Sequence, residues 1–529
     1  MRRIVTVMAA AGLVLVGAVI APTAHPGLAG TAIAVPAAEV APVADPEPDY
    51  TPPPVAWGPC SAAQLQAVSA QCGFVEVPLD YSAPQQAKIK LAVSMVKHTT
   101  PQAQYQGVML VNPGGPGGSG FGLSLLGSAV PDNVGASYDW VGFDPRGVGS
   151  SQPALSCVPD YAGYNRPDYD PDTPGSEAAW LKRAESYAKA CGAKNGDLLN
   201  HITTVDSADD MESIRKALGA DQINYYGFSY GTYLGQVYAT LFPDRVRRMV
   251  LDSVVDERNV WYQANLQQDV AFERNIQIFF DWIAKNDGVY RLGNSGEDVE
   301  KLFYSQKEKL RQKPAGGLIG PSELTDLFLG AGYDVRNWEN VASAFSQWVN
   351  GGDAAGLKTV YSGSASTTDD NNYAVYLAVQ CTDTQWPTDW NQWREDNAKV
   401  AVQAPFETWA NAWYNAPCAF WPAKPAKPVQ VDGSKVKSLL LIDETLDGAT
   451  PFEGSLQARR LFPNSALVEG VGGTTHAASL SGDQCVDGHV ADYLGKGTLP
   501  KRVPGDGSDA QCDPLPQPTP TALVAAGPA

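Results

Sequence analysis

Short apolar runs, each ending in Gly or Asp, set the rhythm of the chain. Residues 108–111 run into a glycine cluster, 139–143 into Asp144-Pro145-Arg146-Gly147, 222–226 into Gly227, 248–251 into Asp252 and 438–442 into Asp443. Runs this short and this apolar suit strands buried on both faces, and the helical stretches between them suit crossover connections. The alternation predicts an α/β protein with a mostly parallel, doubly wound sheet.

Between residues 256 and 428 the rhythm changes. Residues 268–285, 337–350 and 391–413 repeat their apolar positions with the period of helices and contain few β-branched runs. A mainly helical insertion is expected here, dividing the sheet-forming sequence into parts at 57–255 and 429–499. Six of the 13 Trp fall between Trp386 and Trp421. Such a cluster either packs helices together or walls a binding cleft.

The chain ends read differently. Met1-Arg2-Arg3 followed by the uncharged apolar residues 4–20, with Pro22 ending the run, reads as an export signal over 1–34. Gly27-Leu28-Ala29 and Ala32-Ile33-Ala34 both fit the small-residue cleavage pattern, and Thr31 stands where a lipidated cysteine would have to be. Residues 35–56 form a Pro/Ala-rich linker or pro-segment, and 500–529 a Pro-rich tail. No later stretch reaches membrane-spanning length. A secreted, extracellular monomer, off the membrane after signal cleavage, is expected.

Charge and cysteine count narrow the partners. The 529 residues carry 38 Lys+Arg against 57 Asp+Glu, a net charge of −19, which repels phosphate backbones and argues against nucleic acid. Eight Cys, an even number, fit an oxidising compartment. They allow on the order of a hundred connectivities. Pairing sequence neighbours gives Cys60–Cys72, Cys157–Cys191, Cys381–Cys418 and Cys485–Cys512, the last fastening the tail.

Gly227-Phe228-Ser229-Tyr230-Gly231 fits G-x-S-x-G between a strand-like and a helix-like stretch. In that setting a serine is pushed into a sharp turn with its hydroxyl exposed. A serine hydroxyl needs a base, and the base an orienting carboxylate. Of five His, only His476 and His489 follow in Ser…Asp…His order. His476 lies in a small-residue loop after an apolar run and is preferred to His489, which has a helical context. Asp447, at the tip of the loop after 439–442, is the expected carboxylate, with Asp443 as runner-up. The glycine cluster 114–120 follows the first apolar run, so the backbone amides of Gly115 and Tyr230 are expected to bind a developing oxyanion. The cluster lacks the Lys of a phosphate loop, and no Cys-x-x-Cys or His-Glu-x-x-His spacing suggests a metal.

Gly114-Gly115-Pro116-Gly117-Gly118, Asp144-Pro145-Arg146-Gly147-Val148-Gly149-Ser150, the Ser229 elbow, Asp447…Thr450-Pro451 and His476, in this order, resemble the prolyl-aminopeptidase family of α/β-hydrolase serine peptidases. The likeness is strongest to its secreted tripeptidyl aminopeptidases. It implies an α/β-hydrolase fold with a helical cap, release of short peptides from free peptide or protein N-termini, and no cofactor. Pro113 departs from the His that relatives often carry before Gly-Gly-Pro. A carboxylic-ester hydrolase on the same scaffold is the alternative. An aminopeptidase must also pair the substrate ammonium with an acid. Asp383, beside Cys381 and before the Trp-rich segment, is the expected partner, with Glu257 as the alternative.

Overall fold

The computed structural model describes residues 50–363 and 370–520. The expected export signal and linker residues 35–49 lie outside the described residues, as does the end of the tail, 521–529. Among the described residues ten strands form one sheet: β1 (Gly58–Pro59), β2 (Gln71–Pro78), β3 (Lys88–Val96), β4 (Val108–Asn112), β5 (Asp139–Phe143), β6 (Ile223–Phe228), β7 (Val246–Asp252), β8 (Leu439–Glu444), β9 (Ser465–Gly470) and β10 (Ala510–Cys512). Their order is β1-β2-β3-β5-β4-β6-β7-β8-β9-β10. From β5 to β10 every pairing is parallel, and β1, β2 and β3 add an antiparallel edge. The chain is an α/β protein of the doubly wound kind.

The five apolar runs that end in Gly or Asp are strands β4 to β8. The β2–β3 pair was not among them, because its exposed positions break the apolar run: Phe74 and Lys90 face solvent while Val75, Val77 and Leu91 are buried. The strand order reverses at β4, which has β5 on one side and β6 on the other. Ligand crevices in such sheets open at the carboxyl ends of the strands flanking that reversal. The glycine cluster follows β4, and Ser229 follows β6.

The inserted segment is helical but does not form a single body with its own core. Helices Tyr262–Lys285, Gly296–Gln312, Pro321–Tyr333, Trp338–Gly351 and Ala355–Gly363 share an apolar cluster that includes Phe279, Phe303, Phe328, Trp338 and Phe345. From Asp370 onward, Tyr373, Leu377, Trp386 and Trp393 instead join the core built on the sheet. The expected helix over 391–413 is two, Trp390–Ala401 and Thr408–Asn415. Pro405 lies in the break, where it removes an amide donor and turns Ala404 away from helical geometry. Trp386 stacks on Trp393 at 5.5 Å, Trp390 on Trp393 at 5.8 Å, Trp390 on Trp413 at 4.6 Å and Trp413 on Trp180 at 5.9 Å. With Trp386, Trp393 and Trp413 all buried, this ladder packs helices and does not wall a cleft.

The cysteines pair as Cys60–Cys72, Cys157–Cys191, Cys381–Cys418 and Cys485–Cys512. Among the described residues no helix is long and apolar enough to cross a membrane. The loop after β5 is held by a buried cation. Arg146 donates to both Asp210 carboxylate oxygens at 2.7 Å and to the carbonyls of Leu79 and His201. This ties the sheet to helix Thr204–Ala217. Removing the cation leaves Asp210 buried and unpaired, so Arg146→Met is expected to cost about 3–5 kcal/mol of stability in urea unfolding. A loss below about 1 kcal/mol would show that Asp210 relaxes to water or binds its proton cheaply.

Candidate active site

Ser229 lies between β6 and helix Tyr230–Leu241 with φ 56° and ψ −129°, a backbone conformation that costs on the order of 1–3 kcal/mol for a residue with a side chain. The turn is held by its surroundings. The Ser229 N–H donates to the Asp252 carbonyl at 3.0 Å, and its own carbonyl accepts from the Thr232 N–H at 2.8 Å and hydroxyl at 2.6 Å. A Cβ at Gly227 would lie 2.5 Å from the Gly231 carbonyl oxygen, and one at Gly231 2.7 Å from that of Asn112. The elbow therefore admits no side chain at either glycine.

The glycine cluster lies directly over the elbow. A Cβ at Gly114 would stand 2.8 Å from Ser229 Cβ and 2.9 Å from the Tyr230 nitrogen. Asn112 Oδ1 accepts the Gly114 N–H at 2.9 Å, and the Gly118 N–H closes the turn onto the Gly114 carbonyl at 3.1 Å. Tyr230 is the first residue of its helix, so its N–H has no acceptor within the helix and carries part of the positive end of the dipole. Gly115 and Tyr230 are thus on the two backbone segments that meet at Ser229.

Across the elbow, His476 Nδ1 and Asp447 Oδ2 are 2.7 Å apart. Asp447 is fully buried. Its Oδ1 accepts the N–H groups of Ala449 at 2.8 Å and Thr450 at 2.9 Å. Burial pushes this carboxyl up, but the His476 charge, that hydrogen bond and the backbone donor bring it below its ordinary value. For His476 burial acts downward, and the Asp447 carboxylate more than offsets it, leaving the imidazole raised. Asp443, the runner-up, is instead bonded to Ser455, and burial followed by the Asp447 charge holds its carboxyl well above the usual range. His489 lies on helix Gln484–Lys496.

Of the two acids expected to meet a substrate ammonium, Asp383 is engaged elsewhere. Asp383 is the last residue of helix Asp370–Asp383 and is 5% exposed. Its oxygens take the Thr204 N–H at 2.7 Å, the Thr204 hydroxyl at 2.6 Å and the Trp261 indole N–H at 3.2 Å. Thr204 in turn is 2.8 Å from the Tyr230 hydroxyl. Asp383 thus braces the helix after Ser229, and both of its oxygens are taken by donors of the protein. Glu257, past β7, accepts from Gln457 at 3.0 Å through Oε1, while its Oε2 is buried without a hydrogen-bond partner among the described residues.

A different acid pair, which the sequence reading missed, flanks the site. Glu407 precedes helix Thr408–Asn415 without capping it, and Asp269 lies on the inner face of helix Tyr262–Lys285. Both are buried, and among the described residues no lysine or arginine pairs with either. Burial and then the Asp269 charge hold Glu407 well above its ordinary range, and burial pushes Asp269 up to about 8. Asp269 accepts from Asn411 at 2.8 Å, Asn411 from Asn415 at 2.9 Å, and Asn415 from the Tyr376 hydroxyl at 3.0 Å. Tyr376 lies against the glycine cluster, its nitrogen 3.2 Å from where a Gly117 Cβ would stand. On the other side, the Tyr333 carbonyl accepts the His476 N–H at 2.8 Å. Its ring packs edge-on to the imidazole at 5.8 Å, and its phenol feels the charge of Glu407. The available signal was an acid on the apolar stripe of an amphipathic helix: Asp269 is in register with Asn265, Phe272 and Ile276.

Fold and site together define an α/β hydrolase with the side chains of a serine hydrolase. Residues 107–290 match the family described as alpha/beta hydrolase fold, and 404–512 match the TAP-like protein family. The chain is 41% identical to the tripeptidyl aminopeptidase of Streptomyces lividans over 88% of its length and 87% of that protein's. It is 31% identical to the serine protease Hip1 of Mycobacterium tuberculosis over 84% of its length and 90% of the relative's. It is also 31% identical to a carboxylesterase B of the same species, over 85% and 89%. The chain belongs to the tripeptidyl-aminopeptidase-like family of α/β-hydrolase serine peptidases.

The electrostatics predict a titration. His476 is expected to titrate above about 6.5 in the folded protein. In Asp447→Asn the raising charge is gone and the lowering burial stays, so the pKa is expected to fall below that value. NMR of ring-labelled histidine measures both, and an unchanged pKa in the variant would refute the coupling.

Proposed function

We propose that the protein is a secreted serine exopeptidase that removes short peptides, tripeptides by analogy with its Streptomyces relative, from free N-termini. Ser229 Oγ attacks the scissile carbonyl while His476 Nε2 takes its proton, and Asp447 on Nδ1 fixes the tautomer and stabilises the imidazolium. The Gly115 and Tyr230 amides receive the charge that develops on the carbonyl oxygen. His476 then returns the proton to the departing amine, and water hydrolyses the acyl-enzyme by the same steps in reverse. No cofactor enters this sequence. Four disulfides are in keeping with export.

The observation that carries the exopeptidase reading is the Glu407–Asp269 pair. Two buried carboxyls without a cation are costly, and a substrate α-ammonium between them supplies the missing charge. They replace Asp383 and Glu257 as the amine anchor. The carboxylesterase-named relative favours a second reading, hydrolysis of uncharged esters, to which such a pair contributes nothing.

Ser229→Ala is expected to lower kcat by about 10⁴–10⁶-fold on any substrate. Glu407→Gln is expected to lower kcat/KM for free-amine tripeptide substrates by about 30- to 900-fold, the equivalent of about 2–4 kcal/mol, and to leave a small neutral ester almost unaffected. Wild-type enzyme is expected to reject N-acetylated peptides. Equal cleavage of acetylated and free peptides would remove the amine anchor and leave the esterase reading.

A further inference from the structure

Glu444, the last residue of β8, touches both loops that carry catalytic side chains. Its carbonyl accepts the Asp447 N–H at 3.0 Å. Its side chain, 4% exposed, reaches the other loop, where Oε2 accepts the N–H of Thr475, the residue before His476. The fit is close: a Cβ at Gly473 would lie 2.3 Å from Glu444 Cδ, so the histidine loop can wrap the carboxylate only with glycine there. The remaining oxygen, Oε1, accepts the Leu515 N–H at 3.0 Å. Leu515 belongs to neither loop. It lies in the Pro-rich tail just past Cys512, which is pinned to Cys485, and its side chain packs on the cap cluster. The tail then continues to the cap helix Tyr262–Lys285, where the Trp282 indole donates to the Pro518 carbonyl at 3.1 Å.

We propose that Glu444 is a positioning residue that fixes the histidine loop by bridging the Thr475 amide to the Leu515 amide, so that docking of the C-terminal tail sets the placement of His476. A carboxylate accepts both amides at once. A carboxamide has one acceptor oxygen and must turn an NH₂ toward the second N–H, so Glu444→Gln breaks one end of the bridge without changing its size. Leu515 sits between Pro514 and Pro516, in extended backbone where proline fits, so Leu515→Pro removes the N–H while the chain keeps its course. Leu515→Ala removes the packing on the cap and keeps the N–H.

The proposal rests on His476 being the catalytic base, so the assay is hydrolysis of a small neutral ester by the full-length protein, with His476→Ala as reference. Glu444→Gln is expected to lower kcat about tenfold with KM within twofold. Leu515→Pro is expected to lower kcat several-fold, and the double variant to be no slower than Glu444→Gln alone. Leu515→Ala is expected to keep wild-type kcat even if its Tm falls. If His476→Ala retains activity, the reading of the triad fails. If His476→Ala is inactive while folded Glu444→Gln and Leu515→Pro keep wild-type kcat, the bridge is refuted. Additive losses, or losses in Leu515→Ala equal to those in Leu515→Pro, refute it equally.

Discussion

The carboxyl end of β7 is the point on which the site depends. Asp252 and Ser253 are both fully buried, and between them they hold all three segments of the proposed triad. The Asp252 carbonyl fixes the Ser229 N–H, and its carboxylate binds the Ser479 N–H at 2.9 Å and the Ser479 hydroxyl, three residues past His476. The Ser253 hydroxyl accepts the Ala477 N–H at 2.7 Å. The Ser253 N–H itself is tied into the sheet through the Ile442 carbonyl of β8, the strand before Asp447, at 2.9 Å. Residues brought from 229, 447 and 476 are therefore referred to one two-residue segment in the middle of a parallel sheet. Orientation of this kind is where much of the effective molarity of a catalytic group comes from.

This explains which parts of the molecule could be read from the chain. The central strands are buried on both faces and appear as apolar runs, so β4 to β8 were legible, as was the elbow, whose glycines are fixed by local sterics. Ser229, His476 and Asp447, the proposed triad, could be singled out because each sits on a loop just after such a run, and because histidine is scarce. The hairpin β2–β3 was not, since polar residues interrupt its apolar positions: Glu76 in β2, and Lys88, Lys90 and Ser94 in β3. Neither was the break at Pro405, where a periodic apolar stripe continued across a proline and only the local backbone rule spoke against a single helix.

The acids show the limit most plainly. Asp383 and Glu407 both lie in the cap, both near tryptophans, and both are buried; sequence position gives no means of telling them apart. The difference is in the donors around them. Asp383 is met by two N–H groups and a hydroxyl from residues remote in sequence, at Thr204 and Trp261. Those contacts exist only once the fold has formed.

The same distinction sorts the other buried acids by role. Asp252 and Glu444, whose carboxyls burial pushes up to about 6 and about 7, are each met by backbone amides of the histidine loop. A carboxylate whose lone pairs are already filled by its own protein is a brace, and its burial stiffens what it touches. Of Glu407 and Asp269 only Asp269 accepts a side-chain donor, Asn411, and the two repel each other at low dielectric. Among the described residues no lysine or arginine offsets their desolvation, and the Asn411 hydrogen bond to Asp269 offsets it only in part. A pair of that kind is stabilised by a proton when the site is empty and by an organic cation when one is present, so the energy that makes it unfavourable in isolation is the energy available to select an ammonium ligand.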